Sequence, residues 1–264
     1  MKNFKDKIIV ITGAASGMGK AYAIEFAKLG AKLALNDYNK PALEALQSQL
    51  EAQGTKVLID GFDVSNKERM YAFADKVKAR FGNAHVVINN AGVEGYTKEF
   101  ILIEDDDFER IMNINFYGVV YGSRAFLPHL IANNEGALVN ISSIFGLIGV
   151  PTQSDYCASK FAIRGFTESL FVEFYESPIS IHIVHPGGIN TAIAKNELSA
   201  EFAKTYLTTS PKKIAKYVIK CIRKKRFKIV YGRDSLRAWI AGNFLPKRFL
   251  KIMLHHEMKT KLKY

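Results

Sequence analysis

Short apolar runs alternate along the chain with longer segments in which apolar residues recur every three or four positions. The short runs have the length of β-strands, and the longer segments have the period of amphipathic helices. The run Ile8–Ile11 contains no polar residue, which is typical of a strand buried on both faces of a sheet. The alternation therefore predicts a Rossmann-type, doubly wound α/β fold: a parallel sheet of about seven strands with helices on both faces.

The same pattern gives approximate limits for the individual elements. The predicted strands are 7–11, 32–36, 56–59, 86–89, 137–141, 179–184 and 227–231. The predicted helices are 17–29, 41–53, 66–81, 105–132 and 156–175, with Ser65 and Ser154 as starting residues. A doubly wound sheet binds its ligand at the carboxyl ends of the strands, so we expect the residues that carry chemistry to follow strands directly.

The length of 264 residues is compatible with one extended α/β core. We assign residues 1–232 to a dinucleotide-binding catalytic domain and residues 233–264 to a basic amphipathic C-terminal extension. The two cysteines, Cys157 and Cys221, have no neighbouring Cys or His at the spacing of ligands, so no metal site is predicted. The start of the chain lacks a signal-peptide core and no apolar stretch is long enough to span a membrane, which predicts a cytoplasmic protein.

A glycine-rich turn follows the first predicted strand and leads into a helix. Gly13, Gly17 and Gly19 stand in this turn. Glycine permits close approach of the backbone to a pyrophosphate, which then meets the partly positive N-terminus of the helix. The turn therefore predicts a dinucleotide site.

Asp37 ends the second predicted strand, where a carboxylate can accept hydrogen bonds from the hydroxyls of an adenosine ribose. The same charge repels a ribose 2′-phosphate. Neither Ser16 nor Tyr38 offers a cation to bind such a phosphate, so the sequence favours NAD over NADP.

Tyr156 and Lys160 stand four residues apart in a predicted helix and therefore share one of its faces. A nearby ammonium, together with the positive nicotinamide ring of a bound cofactor, favours the phenolate and lowers the pKa of a phenol, which is ordinarily about 10. A phenol tuned in this way can exchange a proton with an alcohol or carbonyl oxygen. Ser143, just beyond the fifth predicted strand, has a hydroxyl that can hydrogen-bond the same oxygen.

These segments occur in the order in which they are found in the classical short-chain dehydrogenase/reductase family, which the sequence resembles over nearly its whole length. Thr12–Gly19 resembles the glycine-rich loop of that family, and Asp63-Val64 its adenine-contacting pair. Asn89–Gly92 resembles the segment that stabilises the central sheet. Pro186-Gly187, followed by Thr191, resembles the loop that meets the nicotinamide carboxamide, although Gly188 departs from the pattern.

The resemblance implies an oxidoreductase that interconverts an alcohol and its ketone or aldehyde, with Tyr156 as acid/base. It implies that Ser143 polarises the substrate carbonyl, that Lys160 holds the nicotinamide ribose and that Asn115 keeps a water in a proton relay. A homodimer or homotetramer is expected. The implied cofactor-binding residues are Gly13, Ser16, Gly17, Met18, Gly19, Asp37, Asp63, Val64, Asn90, Ala91, Gly92, Tyr156, Lys160, Pro186, Gly187, Ile189 and Thr191.

Residues 191–209 are expected to form a lid over the substrate. Its apolar residues, with Ile148 and Val150 on the opposite side, either wall a hydrophobic pocket or simply pack the lid. The prediction we adopt is a hydrophobic alcohol or carbonyl substrate.

Positive charge is concentrated at the C-terminal end. The net charge is +12, and residues 212–264 carry 17 of the 37 Lys/Arg but only 2 of the 25 Asp/Glu. Within 233–264 the cations are interleaved with large apolar residues, and Pro246 is expected to divide the segment into two helices. Such a composition suits peripheral contact with anionic lipid, or a hairpin packed on the domain or a neighbouring subunit.

The basic cluster Arg223–Arg226 raises a different class, a non-catalytic dinucleotide-binding sensor or nucleic-acid-binding protein on the same fold. Such a sensor would be expected to lose the Tyr156 and Lys160 pair, which this sequence keeps. Basic charge alone predicts only weak, salt-dependent binding, so no nucleic-acid partner is expected.

Overall fold

The computed structural model describes residues 1–191 and 207–258, with side chains as far as residue 256. Its strands are β1 (Ile8–Thr12), β2 (Lys32–Asp37), β3 (Val57–Gly61), β4 (Val86–Asn89), β5 (Gly136–Ile141), β6 (Ile179–Pro186) and β7 (Lys228–Tyr231). Its helices are α1 (Gly17–Ala27), α2 (Lys40–Glu51), α3 (Lys67–Phe81), α4 (Asp105–Met112), α5 (Gly118–Ala132), α6 (Ser154–Glu173), α7 (Pro211–Arg223), α8 (Ser235–Phe244) and α9 (Lys247–Met258).

The strands of the described residues form one parallel sheet in the order β3-β2-β1-β4-β5-β6-β7. The order reverses between β1 and β4, which are direct neighbours. In such a sheet the crevice beyond the carboxyl ends of those two strands is the usual ligand site. The Rossmann-type α/β fold and the seven-stranded sheet are therefore confirmed.

Two layers of helices cover the two faces of this sheet. Along β1, Ile9 and Ile11 pack into the core beneath α1, α2 and α7. Ile8 and Val10 point to the opposite core, beneath α3, α5 and α6. Successive strand residues face opposite sides, so a run of four apolar residues serves both cores at once.

The predicted helix over 105–132 is confirmed as helical throughout, but it is not one regular α-helix, because a π-helical segment, Asn113–Tyr117, separates α4 from α5. One predicted starting residue is wrong, because Asn66 and not Ser65 caps α3, accepting a hydrogen bond from the backbone N–H of Arg69. The other is confirmed, because α6 begins at Ser154. Ser65 instead donates its hydroxyl to the Asp63 carboxylate.

The predicted division at Pro246 is confirmed, because α8 ends at Phe244 and α9 begins at Lys247. Helix α7 is missing from the prediction. The predicted lid over 191–209 lies largely outside the described residues, since 192–206 are not among them. Each helix in the described ranges is too short or too polar to traverse a bilayer.

Candidate active site

The glycine turn between β1 and α1 leaves no room for side chains. Gly13 and Gly17 have φ values of 63° and 52°, in the left-handed region that glycine adopts without strain. A Cβ on Gly13 would lie 2.8 Å from Cα of Ala91, and one on Gly19 would collide with the carbonyl oxygen of Gly13. Met18 packs its side chain against the core, and Ser16 is exposed at the start of α1. The result is an open backbone cradle at a helix N-terminus.

Asp37 reaches this turn from the end of β2. One carboxylate oxygen accepts a hydrogen bond of 2.9 Å from the backbone N–H of Ala15, and the other accepts one of 2.9 Å from Asn39. The carboxylate is nearly buried and lies beside the cradle. The glycine turn and the second strand end, which are far apart in sequence, thus form one site.

The segment after β4 closes the other side of the turn. The Asn90 amide donates to the carbonyl oxygens of Thr12 and Gly13, at 2.9 and 3.1 Å. The hydroxyl oxygen of Thr12 accepts from the backbone N–H groups of Asn90 and Ala91, at 3.0 and 3.1 Å. Thr12 was not among the predicted site residues, yet its hydroxyl joins the two strand ends at the point where strand order reverses.

Asn115 lies in the π segment and is fully buried. Its side-chain oxygen accepts from the N–H of Val93 at 2.8 Å, and its amide donates to the Val93 carbonyl at 3.0 Å and to the Ser159 hydroxyl at 3.1 Å. A Cβ on Gly92 would lie 3.1 Å from this side-chain oxygen and 3.3 Å from Nζ of Lys160. Asn115 therefore joins the segment after β4 to the helix that carries Tyr156.

Tyr156 and Ser143 meet beyond the end of β5. Tyr156 lies in the first turn of α6, and its side chain is hydrogen-bonded to that of Ser143. The Ser143 hydroxyl also accepts from the backbone N–H of Phe145 at 3.2 Å. His185, buried at the end of β6, shares a 2.9 Å hydrogen bond with the backbone carbonyl of Ser143. Burial lowers the pKa of His185 to about 4, so this imidazole is neutral and donates to the carbonyl.

Burial raises the pKa of Tyr156 to about 12, and the hydrogen bond from Ser143 only partly opposes that shift. In the protein without cofactor, burial therefore outweighs any lowering of this pKa by the Lys160 ammonium. Removal of the phenol from water disfavours the phenolate more than its polar neighbours favour it. At neutral pH the phenol carries its proton.

Lys160 lies one helical turn after Tyr156 and is buried. Its ammonium lies 5.4 Å from the centre of the Tyr156 ring and donates to the carbonyl oxygen of Ile141 at 3.4 Å. Burial lowers the pKa of this ammonium to about 8. Lys160 is therefore mostly charged at neutral pH and becomes neutral in mildly alkaline solution.

The loop after β6 returns to the glycine turn. Gly187 donates its N–H to the carbonyl of Tyr231, and Gly188 donates to that of Arg233, at 2.8 and 3.1 Å. Ile189 is buried, and Thr191 lies so close to the glycine turn that a Cβ on Gly17 would be 3.2 Å from its methyl group. Gly188 does not loosen this loop, because its backbone is hydrogen-bonded on both sides.

Asp63 and Val64 lie at the end of β3. Asp63 is exposed and accepts from the N–H and hydroxyl of Ser65, at 2.9 and 2.8 Å. Val64 is buried against α5, where a Cβ on Gly118 would lie 2.7 Å from its side chain. This pair therefore lies against α3 and α5, whereas the other predicted residues contact one another.

Two carboxylates near Tyr156 were not predicted from the sequence. Asp155 is fully buried and accepts from the N–H of Tyr156 at 2.7 Å and from that of Tyr96 at 3.3 Å. Glu94 is half-buried, burial raises its pKa, and its charge in turn raises the pKa of Tyr156. Glu94 has no spacing signal, because only the folded loop after β4 brings it to the phenol. Asp155 precedes Tyr156 in the chain, but its contact with Tyr96 depends on the same loop.

The sequence model of the short chain dehydrogenase family matches residues 7–201. The chain belongs to this family. It is 42% identical over 265 residues to the Mycobacterium tuberculosis protein SadH, named as an oxidoreductase, with 96% of each chain covered. Human estradiol 17-beta-dehydrogenase 11 is 32% identical over 255 residues, covering 96% of this chain and 83% of the relative.

A solved structure has the same architecture. The short chain dehydrogenase/reductase of Burkholderia phymatum in complex with NAD superimposes with a TM-score of 0.83 at 29% identity, covering 98% of this chain and 96% of that one. Human epidermal retinol dehydrogenase 2 is 43% identical over 196 residues, covering 73% of this chain and 63% of that protein. The chain is thus a short-chain dehydrogenase/reductase with an NAD(P)-binding fold.

Proposed function

We propose that this short-chain dehydrogenase/reductase is an NAD-dependent oxidoreductase that interconverts a hydrophobic alcohol and its ketone or aldehyde, with Tyr156 as acid/base. The observation that carries the proposal is the half-buried Tyr156 phenol, hydrogen-bonded to Ser143 and one helical turn from the Lys160 ammonium. These three residues place a proton donor, a second hydroxyl and a cation at one point of the cleft. Transfer of a proton to a substrate oxygen requires such an arrangement.

The cradle of glycine backbone fits a dinucleotide. Side chains on Gly13 and Gly19 would collide with the backbone of Ala91 and of Gly13, so only glycine allows the turn to keep this conformation at the N-terminus of α1. Backbone N–H groups at such a terminus favour phosphate oxygens. When bound, NAD supplies the acceptor or donor of the hydride. Gly13, Ser16, Gly17, Met18 and Gly19 would hold its pyrophosphate.

The other predicted cofactor residues surround that cradle. We assign Asn90, Ala91 and Gly92 to the floor beneath the dinucleotide, and Asp63-Val64 to its adenine. Lys160 would hold the nicotinamide ribose. The residues assigned to the nicotinamide carboxamide are Pro186, Gly187, Ile189 and Thr191.

Asp37 supports the preference for NAD over NADP. Its carboxylate is held beside the cradle by the backbone of Ala15 and Asn39. An adenosine ribose hydroxyl can donate to it, whereas a 2′-phosphate would bring a second negative charge against it. We therefore assign NAD as the cofactor.

The protonated phenol suits carbonyl reduction directly. With a pKa of about 12, Tyr156 holds its proton at neutral pH and can give it to the substrate oxygen as negative charge develops there. In alcohol oxidation the phenol must first lose its proton, which the neighbouring positive charge of Lys160 favours. Ser143 donates a hydrogen bond to the substrate oxygen in both directions.

Asn115 is assigned to the supply of protons. Its hydrogen bonds to Val93 and Ser159 fix it beside Lys160, where it can hold a water that links Lys160 to solvent.

The substrate is assigned as hydrophobic. Ile148 and Val150 are buried in a cluster against which Phe145 packs, and the ring centre of Phe145 lies 6.1 Å from that of Tyr156, so one wall beside the phenol is apolar. The names of two relatives specify retinol and estradiol, both lipophilic alcohols. We propose that this chain acts on a similarly lipophilic alcohol.

A homo-oligomer is part of the proposal. Large apolar side chains on and beside α5 and α6 remain exposed in the single chain: Tyr117 by 43%, Phe171 by 41% and Val172 by 73%. Exposed apolar surface of this kind is typical of subunit contacts.

The decisive experiment uses Tyr156→Phe, which removes the phenolic hydroxyl but keeps the ring. With NAD and a panel containing retinol, estradiol and 2-propanol, the protein should form NADH from a lipophilic alcohol. In the variant, kcat should fall by about 10² to 10⁴-fold while NADH still binds. Near-normal turnover in the variant would overturn the role of Tyr156, and NADH binding without turnover of any alcohol or ketone would favour a sensor.

The cofactor assignment has its own test in Asp37→Asn. The amide removes the negative charge, so the ratio of NADP to NAD efficiency should rise. NAD affinity should fall by about fivefold, the equivalent of one hydrogen bond of about 1 kcal/mol. An unchanged ratio of the two cofactors would contradict the role given to Asp37.

A further inference from the structure

The C-terminal hairpin, defined as α8, α9 and the residues between them, has one face on the domain and one face in solvent. Its inner face consists of Ala238, Ala241, Leu250 and Leu254, which pack with Ile148, Val150 and Cys157. Contact is so close that a Cβ on Gly242 would lie 2.5 Å from the carbonyl oxygen of Leu147. The hairpin is therefore fixed against the wall of the proposed substrate cleft.

The outer face of the hairpin carries its larger apolar side chains. On α8, Leu236, Ile240 and Phe244 follow at intervals of four and are 63, 48 and 71% exposed. On α9, Phe249 and Ile252 are 47 and 53% exposed. Residues four or three apart share a helix face, so these side chains form an apolar stripe on each helix.

The hairpin also carries a net positive charge. Between residues 235 and 258 the chain has four Lys/Arg and one Asp/Glu, which is Glu257 near the end of α9. Lys247, Arg248 and Lys251 are exposed, and the Arg248 guanidinium lies 4.8 Å from the centre of the Phe249 ring. Large apolar side chains and cations at one exposed surface match the two parts of an anionic bilayer interface, its acyl boundary and its headgroups.

A second copy of the chain fits this surface less well. Symmetric contact places the same patch of each subunit against itself, so the cations of one hairpin would meet those of the other. Like charges brought together in a partly buried contact are destabilising. Phosphate and carboxylate groups of lipids would instead neutralise them.

We propose that the outer face of the C-terminal hairpin docks on an anionic lipid surface and holds the substrate cleft next to it. The inner face of the hairpin forms part of the apolar wall beside Tyr156, so docking places that wall at the membrane interface. Docking would let a lipophilic alcohol enter the cleft from the bilayer, and this purpose rests on the proposed function. Lipid binding itself requires no turnover and can be measured separately.

The experiment is flotation of the full chain with vesicles of phosphatidylcholine and phosphatidylserine in equal amounts, and with vesicles of phosphatidylcholine alone. The protein should float with the anionic vesicles, less with the neutral ones, and less at high salt. In Lys247→Glu/Lys251→Glu the partition coefficient should fall by at least about tenfold, since each cation near the surface contributes about 1 kcal/mol. The matched control Lys212→Glu/Lys213→Glu makes the same change of charge at exposed residues of α7 and should bind as the unmodified chain does.

A second pair of variants tests the apolar part. Leu236→Ser/Phe244→Ser should weaken binding by about tenfold or more while the melting temperature stays unchanged, because both side chains are exposed. The control is Phe100→Ser/Ile101→Ser, two residues outside the hairpin that are 68 and 83% exposed.

Three results would overturn the proposal. They are equal partition on anionic and neutral vesicles, equal loss of binding in a variant and its control, and a smaller oligomer of Leu236→Ser/Phe244→Ser by light scattering without vesicles. The last result would identify the outer face as a subunit interface. If the unmodified chain turns over an alcohol but does not bind lipid, the docking proposal fails and the proposed function stands. If the chain binds lipid but turns over no alcohol or ketone, the proposed function fails and the docking proposal stands.

Discussion

The cleft at the carboxyl ends of the strands and the outer face of the C-terminal hairpin are built in opposite ways. In the cleft, Asn115 and Asp155 are fully buried polar side chains, and each makes at least two hydrogen bonds. On the hairpin, Leu236 and Phe244 are apolar side chains that are more than half exposed. Chemistry requires polar groups held in place and away from water, whereas adhesion to a surface requires apolar groups that water can reach.

The difference also concerns tolerance of change. A buried polar network fails when one partner is removed, because the remaining group stays buried and unsatisfied. Exposed residues lose little stability when they are replaced. We therefore expect substitutions in the cleft to lower stability, cofactor binding or turnover, depending on the group that is removed, and substitutions on the outer face of the hairpin to affect lipid binding alone.

The largest effect is expected for Gly19→Ala. The added methyl group would collide with the carbonyl oxygen of Gly13, and the turn would have to move. Overpacking of this kind lowers the free energy of unfolding by about 3 kcal/mol, and if the chain still folds, the displaced turn should bind NADH more weakly. A fluorescence titration with NADH and a thermal melt measure the two outcomes.

The matched control is Gly165→Ala, also in a helix, where a Cβ would meet nothing within 4 Å. It should leave NADH affinity unchanged and raise stability slightly, because alanine favours the helix. If the two variants had the same NADH affinity and the same melting temperature, the glycine turn would have no special requirement for glycine at residue 19.

The next effect separates the two faces of the hairpin. Leu250→Ala removes a side chain that is 5% exposed and should lower the free energy of unfolding by about 2 to 3 kcal/mol. Leu236→Ala removes one that is 63% exposed and should change it by less than about 0.5 kcal/mol. Chemical denaturation measures both, and similar losses would mean that the two faces are not distinct.

Asp155→Asn tests whether the carboxylate positions Tyr156. An amide can accept from only one of the two N–H groups that Asp155 now satisfies, those of Tyr156 and Tyr96. We expect a loss of about 2 kcal/mol in unfolding free energy. We also expect a lower kcat with unchanged NADH affinity, and recovery of wild-type kcat would contradict the positioning role. Asp106→Asn, at an exposed residue of α4, is the control and should leave kcat unchanged.

The smallest expected effect is a pH dependence of cofactor binding. Burial lowers the pKa of Lys160 to about 8, so its ammonium is present below that pH and is lost above it. If the charged form holds the ribose, the complex raises this pKa, and NADH affinity is full below about pH 8 and falls as pH rises through it. The fall should be about fivefold, one hydrogen bond. Affinity that stays constant into alkaline solution would contradict this role.

The sheet could be predicted from the sequence because its strands are buried on both faces, which leaves uninterrupted apolar runs such as Ile8–Ile11. The same pattern placed Ser143, Tyr156 and Lys160 at strand ends and on one helix face, where the structure brings them together. The upward shift of the Tyr156 pKa in the protein without cofactor was not predicted, because burial depends on every surrounding element and has no local signature. Asp155 was missed for the same reason.

The hairpin shows another limit of pattern-based prediction. In α8 the larger residues Leu236, Ile240 and Phe244 face solvent, while Ala238 and Ala241 face the core. The usual rule assigns the larger apolar stripe to the interior. The periodicity identifies a helix with two apolar stripes, but which of them packs is decided by the room left beside Leu147 and Ile148.

Because of the π segment Asn113–Tyr117, the direction in which Asn115 points depends on the number of residues between α4 and α5. One residue more than a regular helix would use is accommodated there, and each residue of an α-helix rotates the side chains by about 100°. A chain shortened by one residue at this point could form an unbroken helix from α4 to α5. In that helix Asn115 would point away from Val93 and Ser159 and would lose its hydrogen bonds to them. The more regular helix would therefore lack part of the site.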